Sequence, residues 1–293
     1  MAGLTSSTTT SPTARCATPT TTASPGRSKP STASGGPGGR TNHSVGTYNA
    51  AVLYNGRPHV FYYDATDGAL RHAYYNGVTW AFETLDGIGG PAVAPTTTSG
   101  CSTPSCSTPV ARTSSTTTTG GGDLRHGYWN GQFWAFETLD GSGGPNGRTP
   151  NDVGQYSSVV LYGGRPHVFY YDQNFGGTLR HGYWNGQFWA FEVLDGNGGP
   201  GGRNNHDVGE DTATIISGGR PHVFYYDRTA GNLRRGRYTG AGWVFEHLDG
   251  NGFDHGRTLD DVGWFNAAVV SGGLPHVFYY DLTTEDLRHG WFG

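Results

Sequence analysis

Along most of this chain, aromatic and β-branched residues come in short runs, and each run is closed by a turn signal. His59 to Asp64, Arg71 to Tyr75 and Trp80 to Leu85 are three such runs, followed by Asp67-Gly68, Asn76-Gly77 and Asp86-Gly87. A fourth run, Tyr48 to Tyr54, precedes Asn55-Gly56. Runs of this length bounded by Gly, Asn and Asp read as strands. None repeats its apolar residues with helical spacing over about ten positions. The pattern predicts four consecutive strands per unit and an all-β fold.

The unit is repeated. Pro-His-Val-Phe-Tyr-Tyr-Asp starts at Pro58, Pro166, Pro221 and Pro275, with gaps of 108, 55 and 54 residues, so one copy is missing between the first two. Leu-Arg-His begins at Leu70, Leu124, Leu179 and Leu287, with Leu-Arg-Arg at Leu233. Trp-x-Phe-Glu begins at Trp80, Trp134, Trp189 and Trp243, and Arg-x-x-x-x-Val-Gly at Arg40, Arg148, Arg203 and Arg257. All keep a period of 54 residues, apart from one extra residue between Asp172 and Leu179. A tandem unit of this size with four short strands is the signature of a β-propeller blade. Residues 1–293 therefore read as a single β-propeller array, in frame over about 35–91 and 120–293.

Two segments, about 4–33 and 92–119, are rich in Ser, Thr and Pro. Such composition also suits a flexible spacer, but a spacer has no reason to keep the repeat's phase. Thr5 to Thr10 and Thr113 to Thr118 lie where His-Val-Phe-Tyr-Tyr-Asp belongs, and Cys16-Ala17-Thr18 lies at the Leu-Arg-His phase. GC-rich codons for Pro-His-Val-Phe-Tyr-Tyr, read one base out of frame, give Pro-Thr-Ser-Ser-Thr-Thr. The favoured reading is therefore two blades scrambled by a shifted frame, disordered or poorly formed as written. In phase, the chain ends at Gly293 before a Trp-x-Phe-Glu strand and begins after a Tyr48-to-Tyr54 strand. An incomplete ring is expected, with six or seven blades open for the intact array.

Composition narrows the function. Gly makes up 50 of 293 residues and aromatics 13%, against 14% charged residues, which suits tight turns and aromatic strands. A net charge of −4 supplies no basic field for nucleic acid. No run of about 18 apolar residues predicts a membrane-spanning helix. The start of the chain lacks the apolar core of a secretory signal. Because that start falls in a shifted segment, localisation stays unassigned, secretion included. Cys16, Cys101 and Cys106 all lie in the two aberrant segments and carry no disulfide information.

Each unit repeats an aromatic pair (Tyr74-Tyr75, Tyr128-Trp129, Tyr183-Trp184), an Arg-His pair, and a Trp five residues further on. An aromatic ring against a sugar's C–H face, with a few fixed donors and acceptors, is what carbohydrate recognition needs. The candidate ligand set is Arg71, His72, Tyr75, Arg125, His126, Trp129, Trp134, Arg180, His181, Trp184 and Trp189. Alternation along a strand puts Arg71 and Tyr75 on one face, and His72, Tyr74 and Trp80 on the other. The bland readings stand beside these. The repeated Trp residues also suit blade-packing core, and His59, His167, His222 and His276 suit hydrogen-bonded strand residues. Asp64, Asp172, Asp227 and Asp281 suit turn caps. Arg235 and Arg237 replace the His and the aromatic, so a site there would be altered.

Catalysis is not expected. A glycosidase needs two carboxylates about 5 to 10 Å apart, used once per molecule, whereas Glu83, Glu137, Glu192 and Glu246 recur in every unit. No metal or other cofactor is expected either, since the Asp-Gly-x-Gly-Gly turns offer one carboxylate where calcium takes about six oxygens. The motifs Pro-His-Val-Phe-Tyr-Tyr-Asp, Leu-Arg-His, Trp-x-Phe-Glu and Leu-Asp-Gly resemble the blades of the Photorhabdus-type bacterial lectins. The resemblance implies a seven-bladed propeller that binds fucose and related or O-methylated sugars between neighbouring blades. It makes glycans or glycoconjugates the expected partners, with homo-oligomer formation open. The alternatives are a protein-interaction propeller and, behind it, a propeller glycosidase.

Overall fold

The computed structural model describes residues 43–54, 56–87, 109–114, 122–130, 132–141, 151–197, 205–250 and 258–292. Cys16, Cys101, Cys106, segment 4–33 and most of 92–119 lie outside them. The chain divides into two compact units, Met1–Phe82 and Glu83–Gly293. Among the described residues, no helix is long and apolar enough to cross a membrane.

The predicted strands form, each slightly longer than its aromatic run. The first sheet has the order β1 (Val45–Tyr54), β2 (Arg57–Asp64), β3 (Ala69–Tyr75), β4 (Trp80–Asp86). The second holds β5 (Pro109–Ser114), β6 (Asp123–Trp129) and β7 (Trp134–Asp140). The third holds β8 (Val153–Tyr162), β9 (Arg165–Asp172), β10 (Thr178–Trp184) and β11 (Trp189–Gly196). The fourth holds β12 (Val208–Ser217), β13 (Arg220–Asp227), β14 (Asn232–Tyr238) and β15 (Trp243–Gly250). The fifth holds β16 (Val262–Ser271), β17 (Leu274–Asp281) and β18 (Asp286–Trp291). Each described pair is antiparallel between chain neighbours, as hairpin connections require. A 3₁₀ turn at Asn174–Gly176 takes up the extra residue of the third repeat.

Within the second segment that breaks the repeat, Pro109–Ser114 form β5, paired with β6. Its register matches Val110 with Gly127, as Val168 matches Gly182 in the third sheet. This strand begins four residues before the position that the 54-residue phase assigns to His-Val-Phe-Tyr-Tyr-Asp at Thr113.

The Val-Phe-Tyr-Tyr strands are apolar throughout because both of their faces are covered. Val168 and Tyr170 point back into a core with Leu124, Leu139, Val153 and Trp189. Phe169 points forward into the next core, with Leu179, Leu194, Val208, Val223 and Tyr225. The fourth and fifth sheets repeat the arrangement around Phe224, Leu233, Val262, Val277 and Tyr279. Each of these cores, among the described residues, thus belongs to a pair of successive sheets.

The Val-Gly marker has a backbone cause. Gly209 follows Val208 at φ +108°, where the β12–β13 pairing shifts register. A Cβ there would stand 2.8 Å from the Cα of Leu179 in the preceding sheet. Only glycine meets both demands, the left-handed φ and the close approach of another backbone.

Candidate functional site

The Arg and His of Leu-Arg-His leave opposite faces of their strand, and the two faces do different things. On the back face, Arg180 bonds Asp172 at 3.2 Å and reaches Asp140 of the preceding sheet at 3.4 Å. Its Nε donates to the Tyr170 hydroxyl at 3.3 Å, and that hydroxyl donates to Asp140 at 2.6 Å. The arrangement recurs with Arg234, Tyr225, Asp195 and Asp227, and again with Arg288, Tyr279, Asp249 and Asp281. Burial, with the neighbouring carboxylate, holds the Tyr170 phenol well above its ordinary range, so it stays a donor. The second tyrosine of β9 and of β13 ties forward: Tyr171 donates to Asp207 at 2.8 Å and Tyr226 to Asp261 at 2.7 Å. Leu-Asp-Gly, which reads as a turn, therefore supplies the acceptor that joins sheet to sheet. Arg71 bonds Asp64 at 3.4 Å, and Arg125 bonds Asp86 at 2.8 Å.

On the front face, a groove of about 600 Å³ opens between the third and fourth sheets. His181, Tyr183, Trp184 and Glu192 of the third sheet face Tyr238 and Trp243 of the fourth. Tyr162, Arg165 and His167 also line it, and Arg180 does not. The pairing register explains the assembly. His181 lies opposite Glu192 on β11, and Tyr183 lies opposite His167 on β9, so three strands deliver side chains to one face. Trp243 closes the far side with its ring edge-on to His181 and Phe169, at 5.5 and 5.4 Å between centroids.

The polar side chains of the groove form a chain. Glu192 accepts from His181 Nδ1 at 2.8 Å, which leaves His181 Nε2 to accept from His167 Nδ1 at 2.9 Å. This tautomer assignment follows from the carboxylate at one end and leaves His167 Nε2 without a proton, an acceptor within the groove wall. Burial, then the neighbouring His181, lowers the His167 pKa to about 4 against the pull of Glu192. Burial also lowers that of His181. Both imidazoles are neutral at neutral pH, so the groove offers fixed acceptors among aromatic rings.

The other expected residues fall into related settings. Between the second and third sheets, His126 donates to Glu137 at 2.9 Å, and the Trp189 indole donates to the same carboxylate at 3.2 Å. Trp189 is thus both core and wall: it packs in the second-to-third core and stands edge-on to His126. Trp129 meets Trp134, and Trp184 meets Trp189, edge to face. In the first sheet, His72 bonds His59 at 2.9 Å, and Tyr75 meets Trp80 edge to face. His167, Glu192, Tyr162, Arg165, Tyr238 and Trp243 were absent from the expected set. For His167, Glu192 and Trp243, recurrence at the same period as His181 was the available signal, whereas Tyr162 gives way to Ser217 and Ser271 in the following units. His43, Asp64 and Asp67 cluster at the β2–β3 turn, with His43 Nδ1 2.9 and 3.1 Å from the two carboxylates. His206–Asp227 and Asn151–Asp172 make the matching clamp in other sheets.

No protein-family model matches the chain, and no curated protein does. Among solved structures, the α-L-arabinanase of Penicillium chrysogenum complexed with arabinobiose shares the fold at a TM-score of 0.52 and 15% identity. That alignment covers 83% of this chain and 77% of the arabinanase. The lectin of Aleuria aurantia, described as a six-bladed β-propeller with a novel fucose recognition mode, aligns at a TM-score of 0.46 and 16% identity. It covers 85% of this chain and 75% of the lectin. AofleA of Arthrobotrys oligospora aligns at 0.44 and 18% identity, over 89% of this chain and 75% of that one. Likeness at these identities is likeness of fold. The expectation that the chain is not an enzyme is corrected here, because glycosidases such as the arabinanase share this architecture. Repetition of Glu137, Glu192 and Glu246 is a property of the blade and does not separate binding from catalysis.

Proposed function

We propose that the chain is a carbohydrate-binding β-propeller lectin whose sugars sit in grooves between successive sheets. The groove between the third and fourth sheets carries the reading. It has aromatic walls on both sides, with neutral imidazoles and one carboxylate among them. Its volume suits a mono- or disaccharide. Trp243, Trp184 and Tyr183 supply faces for C–H surfaces, while His167 Nε2 and Glu192 accept from hydroxyls. A sugar carrying a methyl beside its hydroxyls, such as fucose or an O-methylated hexose, matches that mixture. The His126–Glu137–Trp189 constellation supports a second site of the same type, and repeated modest sites bind multivalent glycans through avidity.

The test is a glycan array and a fucose column run on the whole chain. Retention released by free fucose, weakened about tenfold or more in Trp243→Ala, is the expected result. A folded, monodisperse protein that ignores every sugar would overturn the proposal and favour the interaction-scaffold reading.

A further inference from the structure

The fourth sheet repeats the groove's geometry with different charge. Arg235 takes the position of His181 and lies opposite Glu246, as His181 lies opposite Glu192. Arg237 takes the position of Tyr183 and lies opposite His222. Arg235 Nη2 and Nε contact Glu246 Oε1 at 2.6 and 2.8 Å, and Arg237 Nε stands 3.6 Å from the same oxygen. Phe292, which follows β18 and matches Tyr238 in the repeat, packs against Phe224 as Trp243 packs against Phe169. It stacks on Phe224 and lies under the Arg235 guanidinium at 4.6 Å. Arg220 flanks Gly240 as Arg165 flanks Gly186, so the rim cation is kept in both places.

Charge therefore diverges between the two sites. Arg165 and Glu192 cancel in the third-to-fourth groove, and the rest of its lining is neutral. At the fourth-to-fifth site, Arg235 and Arg237 share the carboxylate Glu246, and Arg220 stands beside Gly240. Arg235 is held by Glu246 and nearly buried, whereas the Arg237 side chain is 43% exposed, with its charge open to a ligand. His222 gains no partner comparable to His181 among the described residues: its Nδ1 is buried there without a hydrogen bond, beside guanidiniums that cannot accept. Burial, then Arg235 and Arg237, lowers its pKa to about 4, in keeping with a positive local field.

We propose that the site formed by Arg235, Arg237, Glu246, His222 and Phe292 binds an anionic sugar, one bearing a carboxylate or a sulfate. The third-to-fourth groove takes a neutral one. Arg237, with Arg220 at the rim, would pair the anion, while Phe292 and the stacked Arg235 plane present a flat surface to the ring. The proposal rests on the lectin reading for the site's shape and departs from it in ligand class. One array would then carry two specificities.

The experiment is saturation-transfer NMR and calorimetry on the whole chain, with methyl glucuronide, glucose 6-sulfate and methyl glucoside as separate arms. Binding of either anionic sugar should fall tenfold or more in Arg235→His/Arg237→Tyr, which copies the third sheet's own residues and so should keep the fold. Glu246→Gln removes the competing carboxylate and should tighten anion binding, a gain that unfolding cannot mimic. Preference for the glucuronide or for the sulfate identifies the anion. Anion binding that both variants leave unchanged, or none while fucose is retained, overturns this inference and leaves the lectin reading standing. Loss of all sugar binding in the wild type overturns both.

Discussion

Tyr225→Phe isolates the sheet-joining network in a single atom. The Tyr225 hydroxyl is fully buried, donates to the Asp195 carboxylate at 2.6 Å and accepts from Arg234 Nε at 3.2 Å. Phenylalanine keeps the ring in the core with Leu179 and Val208, so the change removes hydrogen bonds and leaves little cavity. A hydrogen bond to a charged group contributes about 1.5–3 kcal/mol. Asp195 keeps Arg234 Nη2 at 2.9 Å and the Gly196 N–H at 2.9 Å, which favours a cost near the middle, about 2 kcal/mol. For a folding unit of this size, about 2 kcal/mol lowers Tm by about 4–8 °C. Thermal denaturation by circular dichroism, with urea unfolding followed by tryptophan fluorescence, measures it. Tyr183→Phe is the control, because no hydrogen bond from that hydroxyl is found among the described residues, and its Tm should move by less than about 1 °C. Equal Tm values for Tyr225→Phe and wild type, or a more stable variant, would refute the view that this network joins the third and fourth sheets.

Other expectations can be checked in the same assays. Gly209→Ala combines a φ of +108° with a Cβ 2.8 Å from Leu179 Cα, and should cost about 2 kcal/mol or more in urea unfolding. Lowered pKa values make stability pH-dependent in one direction. His167, His222 and His247 sit at about 4 in the fold, against an ordinary value of 6.5. Between those values the unfolded chain binds protons that the folded one does not, so stability present above pH about 6.5 is lost as pH falls toward about 4. His167→Gln should flatten part of that slope, and an unchanged slope would contradict the assignment.

The sheets were legible because strand and turn signals agree in every in-frame repeat. Asn185-Gly186 and Asp86-Gly87, for example, close runs that fold as strands. Alternation also separated Arg from His correctly, since Arg180 and His181 do leave opposite faces. What the pattern could not say is which face meets the groove. The environment of a face is set by the neighbouring sheet, and a strand read alone carries no trace of that neighbour. Arg180 therefore looked like a ligand residue, and its part in the latch with Tyr170 and Asp140 appears only when two sheets meet. Glu192 and His167 escaped selection for a related reason. They reach the site through cross-strand register, and register depends on turn geometry that spacing alone does not give. Strand β5 was hidden because its register departs from the repeat's phase.

The paired tyrosines have a consequence for how such an array changes length. The third and fourth units each carry one half of a coupling at each end: a Tyr170-type hydroxyl reaching back, and a Tyr171-type hydroxyl reaching forward. The halves are the same in these two units, so a unit of this type can follow another of its kind. Duplicating or deleting a whole repeat leaves each remaining coupling with a proper mate, and the ends of the array alter nothing in its middle. Stability then behaves as a sum over units and junctions, in the manner of a one-dimensional lattice with nearest-neighbour terms. An interior unit is held on two sides and a terminal one on a single side, so melting should travel inward from the extremities. Whole-unit gain and loss is thus the mode of evolution this architecture tolerates best, because the interface is inherited together with the blade.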